Sequence, residues 1–204
     1  MLHEQAVPRD TLELLKRIGA PLRDAGFYLA GGTALALRLG HRISVDLDFF
    51  HPEGFDPPDA VELLEAVTGE SPTVLQQTAG SVAVMLCGTK VEILEYRYPM
   101  LEPVEDHDGI PLCPLADNTA MKLSAIMSRG AKKDLVDLSA LLATNTLPQM
   151  LGWFGKKFPN VEPFAMIKSL TWFEDAEEEP DPEFLDGQSW PRVKAQIIAA
   201  AKEL

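Results

Sequence analysis

Cysteine is scarce in this chain of 204 residues, which has only Cys87 and Cys113. Two are too few for a disulfide framework and lack metal-ligand spacing, so both are expected as buried thiols in a reducing compartment. No run of about 18 uninterrupted apolar residues occurs, so no membrane span is expected. The first residues, Met-Leu-His-Glu-Gln, lack the basic start and apolar stretch of a secretory signal. The cytoplasm is the expected compartment. Basic residues are also few, with 18 Lys and Arg against 31 Asp and Glu. A broad nucleic-acid surface needs clustered cations, and this balance argues against one. The acidity is uneven, because 174–186 holds eight acids and no base. Discounting those eight from the net −13 leaves only −5 for the rest, enough to permit a local RNA-contacting patch. His3, His51 and His107 show no zinc spacing, and there is no Gly-x-Ser-x-Gly nucleophile motif.

What is present supports a real core, with 46% hydrophobic residues. Asp10 and Glu13 read as a cap arrangement opening a helix that carries Leu12, Leu15 and Ile18. An apolar run, Phe27-Tyr28-Leu29, ends at Gly31-Gly32, and 33–39 reads as a helix closed by Gly40. Residues 44–50 alternate, with Val45, Leu47 and Phe49 on one side and Ser44, Asp46 and Asp48 on the other. A loop at 52–58 precedes a helix at 59–68. Strands at 81–86 and 90–96 meet at a tight turn near Gly88, and 99–114 reads as irregular. Helices follow at 120–127 and 131–142, interrupted at Gly130. Trp153, Phe154, Trp172 and Phe173 are expected in the core of this half, and 174–186 as a solvated loop or a contact for a basic partner. Ser189 is the expected N-cap of a last helix at 190–202. The order implies an α+β chain, with an α/β core at 1–115 and a mostly helical part at 116–204.

Asp46 and Asp48 lie two apart on one strand, so their carboxylates share a face. Such a pair repels itself unless a cation or proton intervenes, and magnesium suits hard oxygen ligands while leaving room for phosphates. An isolated Asp-x-Asp fits a solvated edge strand equally well. Upstream, Gly31-Gly32-Thr33 stands at a strand-to-helix turn where the backbone approaches a phosphate closely and the helix presents unpaired N–H groups. Alone, it is also a plain turn with a threonine cap. Lys122, Arg129 and Lys133 are spaced by seven and four, close to one helical face, with Asp134 and Asp137 one turn apart to orient those bases or move a proton. A solvated face laced with ion pairs is the competing reading. His41 beside Arg42 is either a phosphate contact or an ordinary loop histidine.

Gly31-Gly32-Thr33, twelve intervening residues and Asp46-Leu47-Asp48-Phe49 together resemble the signature of the DNA polymerase β-type nucleotidyltransferase superfamily. The wording Ala-Gly-Gly-Thr-Ala-Leu-Ala-Leu from Ala30 and His-Arg-Ile-Ser-Val-Asp-Leu-Asp-Phe-Phe from His41 is similar to the AbiEii/AbiGii toxin branch. So are the run from Ala120 to Leu138 and the later Lys-Ser-Leu-Thr-Trp-Phe-Glu-Asp-Ala-Glu from Lys168. The resemblance implies a nucleotidyltransferase-like mixed sheet with flanking helices. It implies that Gly31, Gly32 and Thr33 hold the phosphates of a nucleoside triphosphate, assisted by Lys122, Arg129 and Lys133. It implies magnesium or manganese on Asp46 and Asp48, with Glu92 as the third carboxylate where the superfamily more often has aspartate. Glu92 is equally a surface strand residue. Lys122 and Asp137 are the implied functional members of the helical half. The implied activity is transfer of a nucleoside monophosphate to a hydroxyl, notably at the 3′ end of tRNA through a patch such as Lys122, Arg129, Lys132 and Lys133. A toxin of that kind has a cognate antitoxin partner. Transfer to a small molecule or protein, and a non-catalytic member of the fold, remain open. A nucleotide-sugar transferase is disfavoured because it gives Gly31-Gly32-Thr33 no role.

Overall fold

The computed structural model describes residues 1–204, apart from the side chains of Pro163 and Ala165. Helix α1 (Arg9–Asp24) buries Leu14, Leu15, Ile18 and Leu22, whose three- and four-residue spacing forms one apolar stripe. It starts behind Pro8 without a side-chain cap. The expected Asp10/Glu13 cap is absent, and Glu13 pairs with Arg9 instead. Next come β1 (Tyr28–Leu29) and α2 (Gly31–Leu39), whose closing residue, Gly40, takes the left-handed conformation. Strand β2 (Leu47–His51) and helix α3 (Pro57–Thr68) lead into three strands in succession, β3 (Thr73–Thr78), β4 (Ser81–Leu86) and β5 (Thr89–Glu95). A small hairpin, β6 (Glu105–His107) and β7 (Ile110–Leu112), precedes the helical half.

The seven strands form one sheet in the order β3-β4-β5-β2-β1-β7-β6. The β2–β5 and β1–β7 pairs are parallel and the others antiparallel. One face packs beneath α1 and α3, with Leu47 and Phe49 of β2 and Val91 and Ile93 of β5 in that core. The two-residue period then turns Asp48 and Phe50, Glu92 and Leu94 to the opposite face. That face meets α4 (Leu115–Ser128). Helices α5 (Lys132–Leu141), α6 (Leu147–Lys157), α7 (Pro163–Ser169), α8 (Glu174–Glu177) and α9 (Trp190–Ala201) complete the chain. Their core gathers Leu123, Leu135, Leu138, Phe154 and Ile197. Helix α2 belongs to both halves, because Ala34 and Leu37 join the sheet core while Leu35 joins the helical one.

The α+β mixed sheet with flanking helices matches the expected class. Several local readings are corrected. Residues 44–46 precede the strand, with Ser44 buried and Val45 exposed, so the alternation begins at Leu47. The stretch at 99–114 contains a hairpin, whose Asp108 and Gly109 both have positive φ as a two-residue turn requires. β3 escaped notice because all six of its residues are exposed and carry no alternation. Cys87, expected buried, is partly exposed, and Trp172 stands 52% exposed. The acidic stretch is not simply a solvated loop. Phe184 bridges to Arg42, Ile43 donates its N–H to Glu183, and Leu185 donates to His41. Lys132 bonds Asp181, and Glu177 accepts from the Trp190 indole.

Trp153, Trp172 and Trp190 all lie in the helical half, so their fluorescence reports that half while far-ultraviolet dichroism reports both. Because α2 bridges the two cores, the chemical denaturation midpoints of the two signals should coincide. Leu35→Ala should lower stability by about 2–5 kcal/mol in both signals together. Separate midpoints would show that the halves unfold independently.

Candidate active site

One pocket of about 390 Å³ opens between the β2/β5 face and helix α4. Of the residues singled out in the sequence, it brings together Gly31, Gly32, Asp46, Asp48, Glu92, Lys122, Arg129 and Lys133. Asp48 and Glu92 are direct register partners across the parallel β2–β5 pair, so both carboxylates rise from the same side of the sheet, with Asp46 just before the strand. Burial, then the neighbouring charges of Glu92 and Asp46, push the Asp48 carboxyl above its ordinary value. Glu92 pairs with Lys90 at 3.0 Å. As the side chains stand, no group of three His, Cys, Asp or Glu among the described residues is arranged to hold a metal. The donor set is nonetheless all hard oxygen, and the repulsion on Asp48 is what a divalent cation would relieve.

The opposite wall is cationic and braced from behind. Arg42 grips Asp137 with two bonds of 2.6 and 2.9 Å. His41 Nε2 lies 2.7 Å from the same carboxylate, and Lys122 Nζ lies 2.8 Å from it. Lys122 also reaches Asp134 at 2.7 Å, which accepts two bonds from Arg129. Asp134 and Asp137 are fully buried. Burial would raise both carboxyls, but Lys122 and Arg129 outweigh it at Asp134, and Arg42 and Lys122 hold Asp137 well below its ordinary value. Two carboxylates face the three permanent cations Arg42, Lys122 and Arg129, so this wall carries an excess of positive charge. Exposed Lys133 adds another.

Two expected site residues, Thr33 and Asp137, do not line the pocket. Thr33 does not face the pocket. The residue is 1% exposed, and its hydroxyl lies 2.8 Å from the Ser44 hydroxyl and donates to the Asp46 carbonyl. It fixes the backbone that carries Asp46 and is not placed to touch a phosphate. Asp137 lies behind the wall, against Arg42, His41 and Lys122, where it orients those bases. Gly31 is required by its backbone, and side chains close in on both glycines. A Cβ on Gly31, which has φ +66°, would stand 2.7 Å from Asp48 Oδ2, and one on Gly32 would strike the Arg42 guanidinium. Gly31 N–H is taken by Asn118 at 3.0 Å. Gly32 lies in the first helical turn, where N–H groups have no partner within the helix. Sequence reading missed Asn118 and the apolar end formed by Phe50, Leu94, Tyr96 and Met121. Asn118 stands one helical turn before Lys122, a spacing that could have flagged it.

A sequence profile described as "Nucleotidyl transferase AbiEii toxin, Type IV TA system" matches residues 13–99. The uncharacterized protein aq_aa25 of Aquifex aeolicus (strain VF5) is 41% identical over 159 residues, covering 75% of this chain and 76% of that protein. Among solved structures, JHP933 of Helicobacter pylori superposes with a TM-score of 0.65 at 18% identity, over 100% of this chain and 93% of that one. MenT4, a nucleotidyltransferase toxin of Mycobacterium tuberculosis H37Rv, superposes with a TM-score of 0.65 at 17% identity, over 96% and 85%. These two show the shared fold.

The two walls respond oppositely to pH. The raised Asp48 value means that ionising this group costs more in the folded than in the unfolded chain. Asp48→Asn should therefore raise the thermal midpoint at neutral pH, with the gain fading as pH falls toward about 4, where the unfolded carboxyl also protonates. The depressed Asp137 value contributes stability above the unfolded value, and that contribution is lost as pH falls through the folded one. Asp137→Asn should cost about 3–5 kcal/mol at pH 7, with the deficit shrinking in acid. Thermal melts of both variants from pH 3 to 8 check the two signs.

Proposed function

We propose that this chain is a nucleotidyl transferase of the AbiEii toxin type, whose profile matches residues 13–99, and that it moves a nucleoside monophosphate from a nucleoside triphosphate to a hydroxyl acceptor, releasing pyrophosphate. The bipolar pocket carries this reading, with three carboxylates on one wall and braced cations on the other. Asp46, Asp48 and Glu92 would hold magnesium or manganese, which supplies charge neutralisation and polarisation of the α-phosphate when bound. Arg129 and Lys133 stabilise the triphosphate and the departing pyrophosphate, and the first turn of α2 at Gly32 offers its backbone N–H. Lys122 lines the same wall, positioned by Asp134 and Asp137. Phe50, Leu94, Tyr96 and Met121 give the base and sugar an apolar seat. The protein mainly positions the reactants and compensates charge.

The family supports an RNA acceptor, notably a tRNA 3′ end, for a cytoplasmic toxin with a cognate antitoxin. A second reading is favoured by the fate of the expected RNA patch. Lys122 and Lys132 are each 4% exposed and paired with Asp134, Asp137 and Asp181. Only Arg129 and Lys133 of that patch reach the surface. A chain of net charge −13 then suits a small cationic or protein hydroxyl acceptor. The non-catalytic reading loses ground because Glu92 shares the face of the aspartates.

Incubation with α-labelled triphosphates and magnesium should label one of three acceptor pools, namely total RNA, protein or aminoglycosides. Labelling should vanish with Asp46→Ala/Asp48→Ala and fall about tenfold or more with Lys133→Ala, on the scale of one lost phosphate contact. Absence of transfer to every pool would overturn the enzyme reading.

A further inference from the structure

We propose that Asn118 is a positioning residue that clamps the glycine turn at the pocket mouth, an inference that rests on the nucleotidyl-transfer reading above. Its carboxamide meets both polar groups of Gly31. Oδ1 accepts from the Gly31 N–H at 3.0 Å, and Nδ2 donates to the Gly31 carbonyl at 3.3 Å. Only a side chain with a donor and an acceptor in one plane does both, and aspartate of the same size lacks the donor. Asn118 is fully buried within its own helix yet lines the pocket. Gly31 is thus held from one side by Asn118 while Asp48 closes over the other, into space that a Cβ would occupy.

Asn118 is itself anchored. The preceding residue, Asp117, is fully buried and accepts N–H bonds from Leu101 and Glu102. It also accepts from Lys157 Nζ at 2.7 Å. Lys157, the last residue of α6 and likewise fully buried, also donates to the Pro99 carbonyl and stands over the Tyr96 ring. The first turn of α4 is therefore fixed to α6 and to the 99–102 segment, and Asn118 extends that rigidity to the glycine turn. Its purpose is to keep Gly31 at φ +66°, so that Asp48 faces the pocket beside first-turn N–H groups that have no partner within the helix.

The full-length protein, its Asn118→Ala variant and its Asn118→Asp variant are to be compared in two ways. Backbone hydrogen exchange is followed at Gly31 and in α9, and each of the four ribonucleoside triphosphates is titrated with magnesium. Asn118→Ala should speed Gly31 exchange by about tenfold or more while α9 stays unchanged, and should weaken nucleotide binding by a comparable factor. Asn118→Asp keeps the acceptor but loses the donor and sets a carboxylate oxygen against the Gly31 carbonyl, so Gly31 exchange should rise less than in Asn118→Ala while nucleotide binding still falls. Equal Gly31 exchange in wild type and Asn118→Ala would overturn the proposal, as would unaltered nucleotide binding once the clamp is lost. If wild type binds none of the four triphosphates, the pocket reading fails separately and the exchange comparison alone decides the clamp. Should Asn118→Ala not fold, undiminished binding by Asn118→Asp would still overturn it.

Discussion

A single buried carboxylate organises this molecule. Asp137 has no contact with solvent, and its two oxygens meet Arg42, His41 and Lys122. An uncompensated charge there would cost several kcal/mol, so the cations must come to it from outside its own helix. Arg42 and His41 arrive from the segment that leads into Asp46, and Lys122 arrives from α4. The pairing therefore ties the sheet, the segment before β2 and the helical half to one point. The acidic C-terminal stretch reinforces that point by bonding backbone to residues 41 and 43.

The chemistry of the pocket grows from this brace. Arg42 and Lys122 are drawn to the rear of the wall, and Asp134 similarly holds Arg129. Their excess charge faces Asp46, Asp48 and Glu92 across the cavity. Burial, with the neighbouring Glu92 and Asp46, holds the Asp48 carboxyl above its ordinary value, whereas cations hold Asp134 and Asp137 below theirs. Such an arrangement costs stability on one side and offers a cation and a polyphosphate a place between the two walls. Perturbed carboxyls of this kind are a common signature of sites built for binding or reaction.

The legible parts of the sequence were those with short-range physical causes. Alternation from Leu47 onward placed Asp48 on the face opposite the core, and the same period turned Glu92 away from Val91 and Ile93, but its place beside Asp48 is set by the β2–β5 register. Gly31-Gly32 marked a close backbone approach, although the approaching groups are Asp48 and Arg42 of the chain itself. What sequence did not disclose depends on long-range contacts. Nothing local distinguishes the Thr33 hydroxyl bonded to the Asp46 carbonyl from one free to meet phosphate. Lys122 and Lys132 looked like surface cations, because their partners lie 12 to 49 residues away in the chain. β3 is silent because an exposed edge strand buries nothing, whereas the 105–112 hairpin does carry a local signal in Asp108-Gly109.

The central claim is that the carboxylate wall and the cationic wall together seat a metal–nucleoside triphosphate complex. Paramagnetic broadening by manganese, read residue by residue in the nuclear magnetic resonance spectrum, tests it most directly. With a triphosphate present, the account predicts selective loss of amide signals around Gly32, Asp46–Asp48 and Glu92, absent in Asp46→Ala/Asp48→Ala. Broadening that spares this pocket, or that persists unchanged in the double variant, would contradict it.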